Sequence, residues 1–556
     1  MRAVESYAKG ETAPALLEET IGANLEATVA RNPDGEALVE VATGRRWTWR
    51  ELDEAVDEVA RGLIALGLAK GDRVGIWAPN CAEWTIAQYA TAKAGIILVN
   101  VNPAYRTHEL AYVVNQSGMR MLLSATAFKT SDYRGMITEL VAGGQAPTLE
   151  KVLYVDTDDW TELVEAGRDL ADRALVDRMA TLRPEDAINI QYTSGTTGFP
   201  KGATLSHRNI LNNGYFTTET IRLTAADRLC VPVPFYHCFG MVMANLGCTS
   251  HGATMVIPAP AFDPAVTLQA VQDERCTVLY GVPTMFIAMQ ALLGTGPGPA
   301  GYDLSTLRSG IMAGSICPVE VMKRCIDDMH MGDVSIAYGM TETSPVSCQT
   351  TVEDDLERRT ATIGRVHPHV EIKVIDPTTG HTVERGMPGE FCTRGYSVML
   401  GYWPLADPEG SEKTAEAIDA DGWMHTGGLA VMREDGYCNI VGRIKDMVIR
   451  GGENIYPREI EEFLYAHPDI EDVQVVGVPD ERYGEELCAW IRMRPGATPL
   501  DADAVRGYAT GKLATYKIPR YVLVVDEFPM TVTGKIRKVE MRERSAGMLG
   551  LRGRTS

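Results

Sequence analysis

Apolar residues recur at helical spacing soon after the start of the chain. Thr48 and Glu51 have the spacing of a capping box, which begins a helix. The apolar positions that follow fall on one helical face, and they are Leu52, Val56, Val59 and Leu63. Gly67 then supplies a stop signal, so the pattern predicts an amphipathic helix that ends before it.

Short apolar runs bounded by turn residues alternate with such helical stretches. They predict buried strands at Arg73–Trp77, Val152–Val155, Ile188–Tyr192, Thr254–Ile257 and Thr277–Tyr280. A helix is predicted at Pro264–Asp273, between the last two strands. Alternation of this kind is typical of an α/β fold with mixed or parallel sheets. Residues 294–301 are rich in Gly and Pro and predict a surface loop.

The pattern changes towards the C-terminal end. A helix is predicted to open at Pro457, because proline is favoured at the first helical position. Its apolar face is formed by Ile460, Phe463 and Leu464. A strand is predicted at Val473–Val478. The segment therefore predicts a compact α+β unit, with domains at 1–444 and 445–556.

Composition and charge narrow the function classes. The 556 residues are 45% hydrophobic and 23% charged, which indicates a globular chain with more than one domain. The formal net charge of -21 disfavours nucleic acid as a partner, because phosphate backbones are bound by clustered Lys and Arg.

Signals for export are not expected in this chain. Glu, Lys and Gly interrupt the apolar residues of the N-terminal segment, so no secretory signal is predicted there. The apolar run Ala94–Val99 is too short to cross a bilayer, so no transmembrane segment is predicted. The 11 cysteines contain no CxxC pair, which indicates reduced thiols and no disulfide framework or zinc site. A cytoplasmic enzyme is therefore expected.

The segment from Tyr192 to Lys201 carries the strongest chemical signal. Hydroxyls, glycines and a lysine lie within ten residues directly after the predicted strand, and together they supply the donors that hold a polyphosphate. Pro200 precedes the lysine and Gly202 follows it, so the pattern differs from a Walker loop. An ordinary surface loop rich in Ser, Thr and Gly is the alternative.

This segment resembles the signature loop of the adenylate-forming superfamily of acyl-CoA synthetases, luciferases and peptide-synthetase adenylation domains. Further segments similar to that family follow in the family's order, at Tyr338–Thr343, Asp421–Gly428, Gly442–Asp446 and Thr533–Ile536. The resemblance covers nearly the whole chain. It implies a large N-terminal α/β domain of αβ-layered subdomains with mixed sheets, and a small mobile α+β C-terminal domain.

The resemblance also implies the substrates and the residues that bind them. ATP, magnesium, coenzyme A and a small carboxylic acid are expected, and a homodimer is one expected state. The residues implied for ATP are Thr193, Ser194, Gly195, Thr196, Thr197, Gly198, Lys201, Gly314, Ser315, Tyr338, Thr341, Gly428 and Arg443. Tyr338 would stack on the base, Thr341 would bond a phosphoryl oxygen, and Glu342 would bind magnesium.

Two half-reactions are implied for one acyl carbonyl. Lys535 resembles the mobile lysine that stabilises the transition state of adenylation, and Arg443 the arginine that reaches the ribose. Lys445 resembles the hinge residue about which the small domain rotates. Gly451 and Gly452 would then leave room for the pantetheine thiol, although an ordinary turn is the alternative.

The resemblance favours a fatty acid as the substrate, most like the medium-chain branch. His237, Val282, Ala313, Gly314 and Met340 are expected in the acyl pocket. Small residues, Gly310 among them, and flexible methionines suggest a smooth apolar tunnel. A benzoate or cinnamate is the alternative acid, and His237 could equally be a core histidine.

Gly428 departs from the family pattern, which has aspartate at this position and uses it to accept hydrogen bonds from both ribose hydroxyls. Three interpretations of Gly428 are open: an engineered substitution that slows turnover, a natural variant compensated by Arg443 or water, and a homologue that no longer makes acyl-CoA efficiently. The alternatives to a CoA ligase are a stand-alone enzyme that passes acyl groups to a carrier protein and a weakened acyl or nucleotide sensor. Lys201, Glu342, Arg443 and Lys535 argue against the sensor, while Gly428 argues for it.

Overall fold

The computed structural model describes residues 4–193, 200–296, 301–315, 317–451, 453–530 and 536–551. The strands in these residues are β1 Tyr7–Lys9, β2 Glu36–Glu40, β3 Arg45–Thr48, β4 Arg73–Trp77, β5 Ile97–Asn100, β6 Met121–Ser124, β7 Lys151–Tyr154, β8 Ala187–Thr193, β9 Lys201–Ser206, β10 Arg228–Cys230, β11 Thr254–Ile257, β12 Val278–Gly281, β13 Ser309–Ala313, β14 Asp333–Gly339, β15 Val346–Gln349, β16 Arg365–Val366, β17 Val370–Ile375, β18 Pro388–Gly395, β19 Gly401–Tyr402, β20 Met424–Met432, β21 Cys438–Arg443, β22 Val448–Arg450, β23 Glu453–Ile455, β24 Ile470–Asp480, β25 Gly484–Met493 and β26 Tyr521–Val524.

The helices in the same residues are α1 Ile21–Arg31, α2 Trp49–Ala65, α3 Ala82–Ala94, α4 Thr107–Ser117, α5 Tyr133–Ala142, α6 Asp158–Ala166, α7 Asp172–Met179, α8 His207–Thr220, α9 Gly247–His251, α10 Pro264–Asp273, α11 Pro283–Gln290, α12 Val319–Asp327, α13 Leu356–Ala361, α14 Pro408–Ala417, α15 Pro457–Tyr465, α16 Ala502–Ala509 and α17 Lys538–Met548. A π-helix spans Phe239–Leu246, and short 3-10 turns lie at Leu293–Thr295, Thr341–Thr343, Ile444–Asp446 and Thr515–Lys517. None of the described helices is both long and apolar enough to cross a membrane.

The chain divides into two compact units. The larger unit contains residues 8–372 and 393–425, and the smaller contains residues 1–7, 373–392 and 426–556. The chain crosses from one unit to the other within each of the strands β17, β18 and β20. These strands belong to a sheet of order β1-β17-β18-β20-β21. The predicted boundary at residue 445 stays a prediction.

The larger unit contains two extensive sheets. One has the order β19-β9-β8-β5-β4-β6-β7, in which β8, β5, β4, β6 and β7 are parallel, β9 pairs antiparallel with β8, and β19 pairs antiparallel with β9. The other has the order β16-β15-β14-β13-β12-β10-β11-β2-β3, with parallel pairing from β14 to β2. Large aromatic side chains fill the core of the larger unit, among them Trp49, Trp77, Trp84, Tyr89 and Tyr280. The predicted α/β class with mixed sheets is confirmed.

The smaller unit contains the sheet β23-β22-β25-β24, with β26 paired parallel to β25. Helix α15 packs an apolar face on β24, as predicted, and this core contains Val448, Ile460, Leu464, Val473 and Ile491. The predicted strand at Val473–Val478 lies inside the longer β24, whose hairpin with β25 extends the pairing at both ends.

Local capping explains why the helices begin where the sequence predicts. The Glu51 backbone N–H donates to Thr48 Oγ1 over 3.2 Å, and the Thr48 N–H donates to Glu51 Oε2 over 2.8 Å. The capping box is therefore formed, and α2 ends at Ala65 before Gly67, whose φ is +84°. Of the predicted loop at 294–301, residues 297–300 lie outside the described residues.

Two buried histidines in the larger unit are held neutral. His367 is 2% exposed, and its ring is bonded through Nε2 to Gln349 Oε1 over 2.8 Å. Gln349 donates its own amide N–H to the Thr217 carbonyl oxygen, so its oxygen faces the ring and the Nε2–H tautomer is assigned. Burial lowers the pKa of His367 to about 3, and burial likewise lowers the pKa of His207 to about 3.

Candidate functional site

Several predicted site residues lie at one edge of the nine-stranded sheet of the larger unit. Strands β10, β12, β13 and β14 are parallel, so their carboxyl ends share that edge. The residues at or after those ends are His237, Val282, Gly314, Ser315 and Tyr338. The carboxyl edge of a parallel sheet is the place where α/β proteins bind ligands. The topology thus places together segments that are far apart in the sequence.

The predicted phosphate loop leaves the neighbouring sheet at the end of β8. Strand β9 returns antiparallel from it, and Thr193 pairs with Lys201 across the two strands. Thr193 Oγ1 lies 3.3 Å from Glu342 Oε1, to which it donates, so the base of the loop contacts the turn Thr341–Thr343. Residues Ser194, Gly195, Thr196, Thr197 and Gly198 lie outside the described residues.

Glu342 is a buried carboxylate of the larger unit. It is 5% exposed and forms no ion pair with any Lys, Arg or His in the described part of the chain. Thr193 and Tyr402 both donate to the same oxygen, Oε1, the latter over 3.0 Å. Buried carboxylates are normally paired with a cation or coordinate a metal. The donor set around Glu342 therefore fits a cation bound at its other oxygen, Oε2.

Tyr402 is the residue of this cluster that the sequence analysis missed. It belongs to the two-residue strand β19, which pairs with β9 and so lies beside Lys201. The Lys201 ammonium nitrogen is 5.0 Å from the centre of the Tyr402 ring. Burial, and then the Glu342 carboxylate, raise the pKa of Tyr402 far above its usual value, which keeps the phenol as a donor. A strand of two residues leaves no periodic signal in the sequence.

His237 precedes the π-helix Phe239–Leu246, an uncommon form of helix that is often found at functional sites. The ring of His237 is half-buried and lies 4.1 Å from the ring of Tyr236, centre to centre. This placement fits the predicted acyl-pocket segment, and its role there stays a prediction.

A cluster of buried amides, Asn100, Asn189 and Gln191, joins the phosphate-loop strand to the segment around His237. Asn189 donates to Asn100 Oδ1 over 2.9 Å, and Gln191 donates to Asn189 Oδ1 over 3.0 Å. Asn100 also donates to the Tyr236 carbonyl oxygen over 3.0 Å, and the Cys238 thiol donates to Gln191 Oε1 over 3.2 Å. All three amides are buried, so each bond is made away from water.

The structure brings Gly314 and Val282 together, and their role in an acyl pocket stays a prediction. Gly314 has a φ of +88°, and a Cβ added to it would lie 3.2 Å from Val282 Cγ1. Ala313 is buried at the end of β13, while Met340 is half-buried and its N–H donates to the Pro345 carbonyl oxygen.

Gly310 lies where two strands of the larger unit approach each other closely. A Cβ at this position would lie 2.1 Å from the Leu279 carbonyl oxygen and 2.3 Å from Met331 Cε. The absence of a side chain lets β12 approach β13 closely, which gives Gly310 a role in strand packing, while the expectation that it lines a tunnel stays a prediction.

The smaller unit contains the predicted ribose-binding positions. Gly428 is buried on β20 and is directly opposite Arg443 on β21, whose side chain is exposed. The Gly428 N–H donates to Thr426 Oγ1 over 3.1 Å, and Thr426 Oγ1 donates in turn to the Phe391 carbonyl oxygen over 2.6 Å. The Gly427 N–H donates to Glu390 Oε1 over 3.0 Å.

The predicted hinge and CoA-side residues also lie in the smaller unit. Lys445 is in the 3-10 turn Ile444–Asp446, and its carbonyl oxygen accepts a bond of 2.8 Å from the Arg542 guanidinium. Desolvation, and then the charge of Arg443, lower the pKa of Lys445. Gly451 has a φ of +61°, and its N–H donates to the Tyr483 carbonyl oxygen over 2.8 Å. Gly452 and Lys535 lie outside the described residues.

Comparison with known families agrees with this arrangement. A family model described as AMP-binding enzyme matches residues 25–403, and one described as AMP-binding enzyme C-terminal domain matches residues 459–535. The solved structure of ATP-bound MatB from Rhodopseudomonas palustris has a TM-score of 0.81 and 30% identity, and the match covers 96% of this chain and all of that one. Fold and family model together define the class as that of the adenylate-forming enzymes.

Curated relatives narrow the class further. A putative acyl-CoA synthetase, YngI of Bacillus subtilis, is 47% identical over 553 residues, which are 96% of this chain and 99% of that protein. The mitochondrial medium-chain acyl-CoA ligase ACSF2 of Danio rerio is 45% identical over 98% of this chain and 91% of its own length. The chain belongs to the AMP-binding enzyme family and, within it, to the acyl-CoA synthetases, which are AMP-forming acid–thiol ligases.

Proposed function

We propose that the chain joins a medium-chain fatty acid to coenzyme A in two steps. A carboxylate oxygen of the acid attacks the α-phosphorus of ATP, which forms the acyl adenylate and releases pyrophosphate. The coenzyme A thiol, losing its proton, then attacks the acyl carbonyl carbon, which forms the thioester and releases AMP. The observation that carries this proposal is the buried Glu342 carboxylate beside Thr193, where a nucleotide triphosphate would bring its metal ion.

Glu342 would hold magnesium at this position. Magnesium is bound in proteins by one or two carboxylates together with substrate phosphates, and the unbonded side of the Glu342 carboxylate offers such a ligand. When bound, the ion would neutralise charge on the phosphates during transfer. Thr341 lies in the same 3-10 turn as Glu342 and would donate to a phosphoryl oxygen.

Residues from several parts of the chain would bind the rest of ATP. Lys201 would place its ammonium against the phosphates, since Tyr402 holds it from the other side. The backbone turn at Gly314 and Ser315 would accept the adenine, with the Tyr338 ring stacked on the base. Arg443 would reach the ribose, and Lys535 would stabilise negative charge on the α-phosphate as pyrophosphate leaves.

The second half-reaction would use the smaller unit in a different orientation. Lys445, at the 3-10 turn before β22, would act as the hinge. Gly451, with no side chain beside the Tyr483 ring, would leave the backbone open to the pantetheine arm, together with Gly452. The two orientations of the smaller unit would bring different side chains to the acyl carbonyl, one set for adenylation and another for thioester formation.

A medium-chain acid and a cytoplasmic location are part of the proposal. The substrate class is supported by the name of ACSF2 and by the apolar side chain of Val282 against Gly314, which follows Ala313 directly in the sequence. The location is supported by the eleven cysteines, all of which are free and ten of which are buried in the structure.

The test is pyrophosphate release from ATP with straight-chain acids of graded length, benzoate and cinnamate, each measured with and without coenzyme A. We expect release with medium-chain acids, and full turnover only with the thiol. A preference for benzoate or cinnamate would assign an aryl acid instead. Release without any transfer to coenzyme A, but with transfer to a phosphopantetheinylated carrier protein, would assign the stand-alone enzyme. No release with any acid would contradict the proposal and favour the sensor.

A further inference from the structure

We infer that Tyr402 is a positioning residue for the metal-binding carboxylate of Glu342, an inference that rests on the proposed role of Glu342. The segment around β19 contacts Glu342 at two points. The Met399 N–H donates to the Glu342 carbonyl oxygen over 2.9 Å, and the Tyr402 hydroxyl donates to Glu342 Oε1 over 3.0 Å. Backbone and carboxylate are thus held by one short piece of chain.

Tyr402 is itself held firmly enough to serve this purpose. Its side chain is 5% exposed, and its N–H donates to Thr414 Oγ1 of α14 over 2.9 Å. The N–H of the next residue, Trp403, points the other way and donates to the Gly202 carbonyl oxygen of β9 over 2.7 Å. Hydrogen bonds to α14 and to β9 therefore fix the backbone that carries the Tyr402 hydroxyl.

The hydrogen bonds to Glu342 are unequal and fall on one oxygen. The bond from Tyr402 is 3.0 Å long, whereas the bond from Thr193 is 3.3 Å long. Thr193 also lies 3.4 Å from the Lys201 carbonyl oxygen, so its hydroxyl proton has a second acceptor. Tyr402 is therefore the stronger restraint on the carboxylate plane, and Oε2 accepts no hydrogen bond from the described residues. Outer hydrogen bonds of this kind orient a metal ligand before the metal arrives.

The Tyr402 ring also contacts Lys201, and the experiment must distinguish this contact from the hydrogen bond to Glu342. The Lys201 ammonium lies over the Tyr402 ring, which is a cation–π contact. Tyr402→Phe removes only the hydroxyl and keeps the ring under Lys201. Tyr402→Leu removes both, so the pair of variants distinguishes the bond to Glu342 from the contact with Lys201.

The matched control is Tyr133→Phe. Tyr133 is also fully buried in the larger unit, and its hydroxyl donates to the Pro103 carbonyl oxygen over 2.5 Å. This variant loses a buried phenol hydroxyl without touching Glu342. It reports any effect of lost stability alone, and the thermal midpoints of all variants are compared alongside.

The measurement is binding of Mn²⁺ in the presence of ATP, followed by the electron paramagnetic resonance signal of the free ion. We expect Tyr402→Phe to weaken Mn²⁺ binding by about tenfold to a hundredfold, with Tyr133→Phe unchanged. Tyr402→Leu should show the same loss and a further fall in affinity for ATP. The Mg²⁺ concentration needed for half-maximal pyrophosphate release should rise by a similar factor in Tyr402→Phe.

A double-mutant cycle with Glu342→Gln tests whether Tyr402 acts through Glu342. In the Glu342→Gln background, Tyr402→Phe should cause no further loss of Mn²⁺ binding. A full loss in that background, or unchanged Mn²⁺ binding in Tyr402→Phe, would overturn the inference. If the wild-type protein released no pyrophosphate but bound Mn²⁺ and ATP in a Tyr402-dependent way, the proposed reaction would fail while the inference stood.

Discussion

At the scale of single residues, Gly428 stands where the resemblance to the adenylate-forming enzymes predicts an aspartate. The structure places it directly opposite Arg443 on the neighbouring strand, within the smaller unit. An aspartate there would face an arginine across two antiparallel strands, which is a favourable pairing. An aspartate side chain at this position would lie on the same face of the sheet as Arg443.

We predict that Gly428→Asp raises the affinity for ATP or the rate of adenylation. Charged hydrogen bonds contribute about 1.5 to 3 kcal/mol each, so roughly a tenfold gain is expected after the cost of desolvating the carboxylate. The gain should shrink with 2'-deoxy- and 3'-deoxy-ATP, because each lacks one donor. Steady-state kinetics with the three nucleotides measures this.

Gly428→Asn is the matched control, because it supplies a similar shape without the charge. It should give a clearly smaller gain than Gly428→Asp. An equal gain with all three nucleotides, or none with ATP, would mean that residue 428 does not face the ribose.

The second prediction at this scale concerns acid stability and His367. Its pKa is about 3 in the folded chain and near 6.5 when unfolded, so between these values the unfolded state binds the extra proton. The free energy of unfolding should therefore fall as the pH drops below about 6.5, by about 1.4 kcal/mol per pH unit from this residue. His367→Asn should remove that part of the slope.

Urea unfolding at several pH values from neutral to mildly acidic gives the slope for each protein. His381→Asn, at an exposed position, is the control and should leave the slope unchanged. A slope in His367→Asn as steep as in the wild-type protein would show that His367 is not held neutral.

At the scale of elements, the close approach of β12 and β13 explains why Gly310 is a glycine. We predict that Gly310→Ala lowers the thermal midpoint, because the new Cβ would lie 2.1 Å from the Leu279 carbonyl oxygen. Overpacking of this kind typically costs about 1 to 3 kcal/mol. Gly332→Ala is the control in the same unit, since a Cβ there would have no neighbour within 4 Å.

Calorimetry measures both variants, and the graded acids used for the proposed function measure their substrate preference. The chain-length preference should be the same in Gly310→Ala as in the wild-type protein. Unchanged stability with an altered preference would instead place Gly310 in the acyl pocket.

Much of this element structure could be predicted from the sequence. The strand Thr254–Ile257 and the helix Pro264–Asp273 have the predicted bounds, because turn residues and a proline mark their ends. The capping box at Thr48 formed for the same reason. Strand β7 begins and ends one residue earlier than predicted, since pairing with β6 fixes its register.

The contacts of the site could be predicted only in part. Thr193, Lys201 and Glu342 stood in recognisable motifs, and the structure brings Thr193 to Glu342. Tyr402 stands 60 residues from Glu342, in a strand that only its pairing with β9 defines. The π-helix at Phe239–Leu246 was also not predictable, because its apolar run has no period that distinguishes it from an α-helix.

At the scale of the whole molecule, the proposed reaction needs two arrangements of one chain. We predict that Lys445→Pro changes the two half-reactions unequally, because proline fixes φ at the proposed hinge. Pyrophosphate release reports adenylation, and transfer from a pre-made acyl adenylate to coenzyme A reports thioesterification. At least one of the two rates should fall by about tenfold or more relative to the other.

Lys445→Ala is the control for this prediction, because it removes the side chain and leaves the backbone free to rotate. It should affect the two half-reactions far less than the proline does. Full overall turnover in Lys445→Pro would contradict the two-arrangement mechanism for this chain.

The buried amides Asn100, Asn189 and Gln191 have a consequence for anyone who wishes to change the acid that this protein accepts. They tie the segment around His237 to the strand that leads into the phosphate loop. A graft of residues 234–246 that replaced Cys238 would leave the buried Gln191 oxygen Oε1 without its thiol donor, and an unsatisfied buried amide is costly. The unit of exchange is therefore larger than the segment itself: a graft that changes residue 238 should change residue 191 with it.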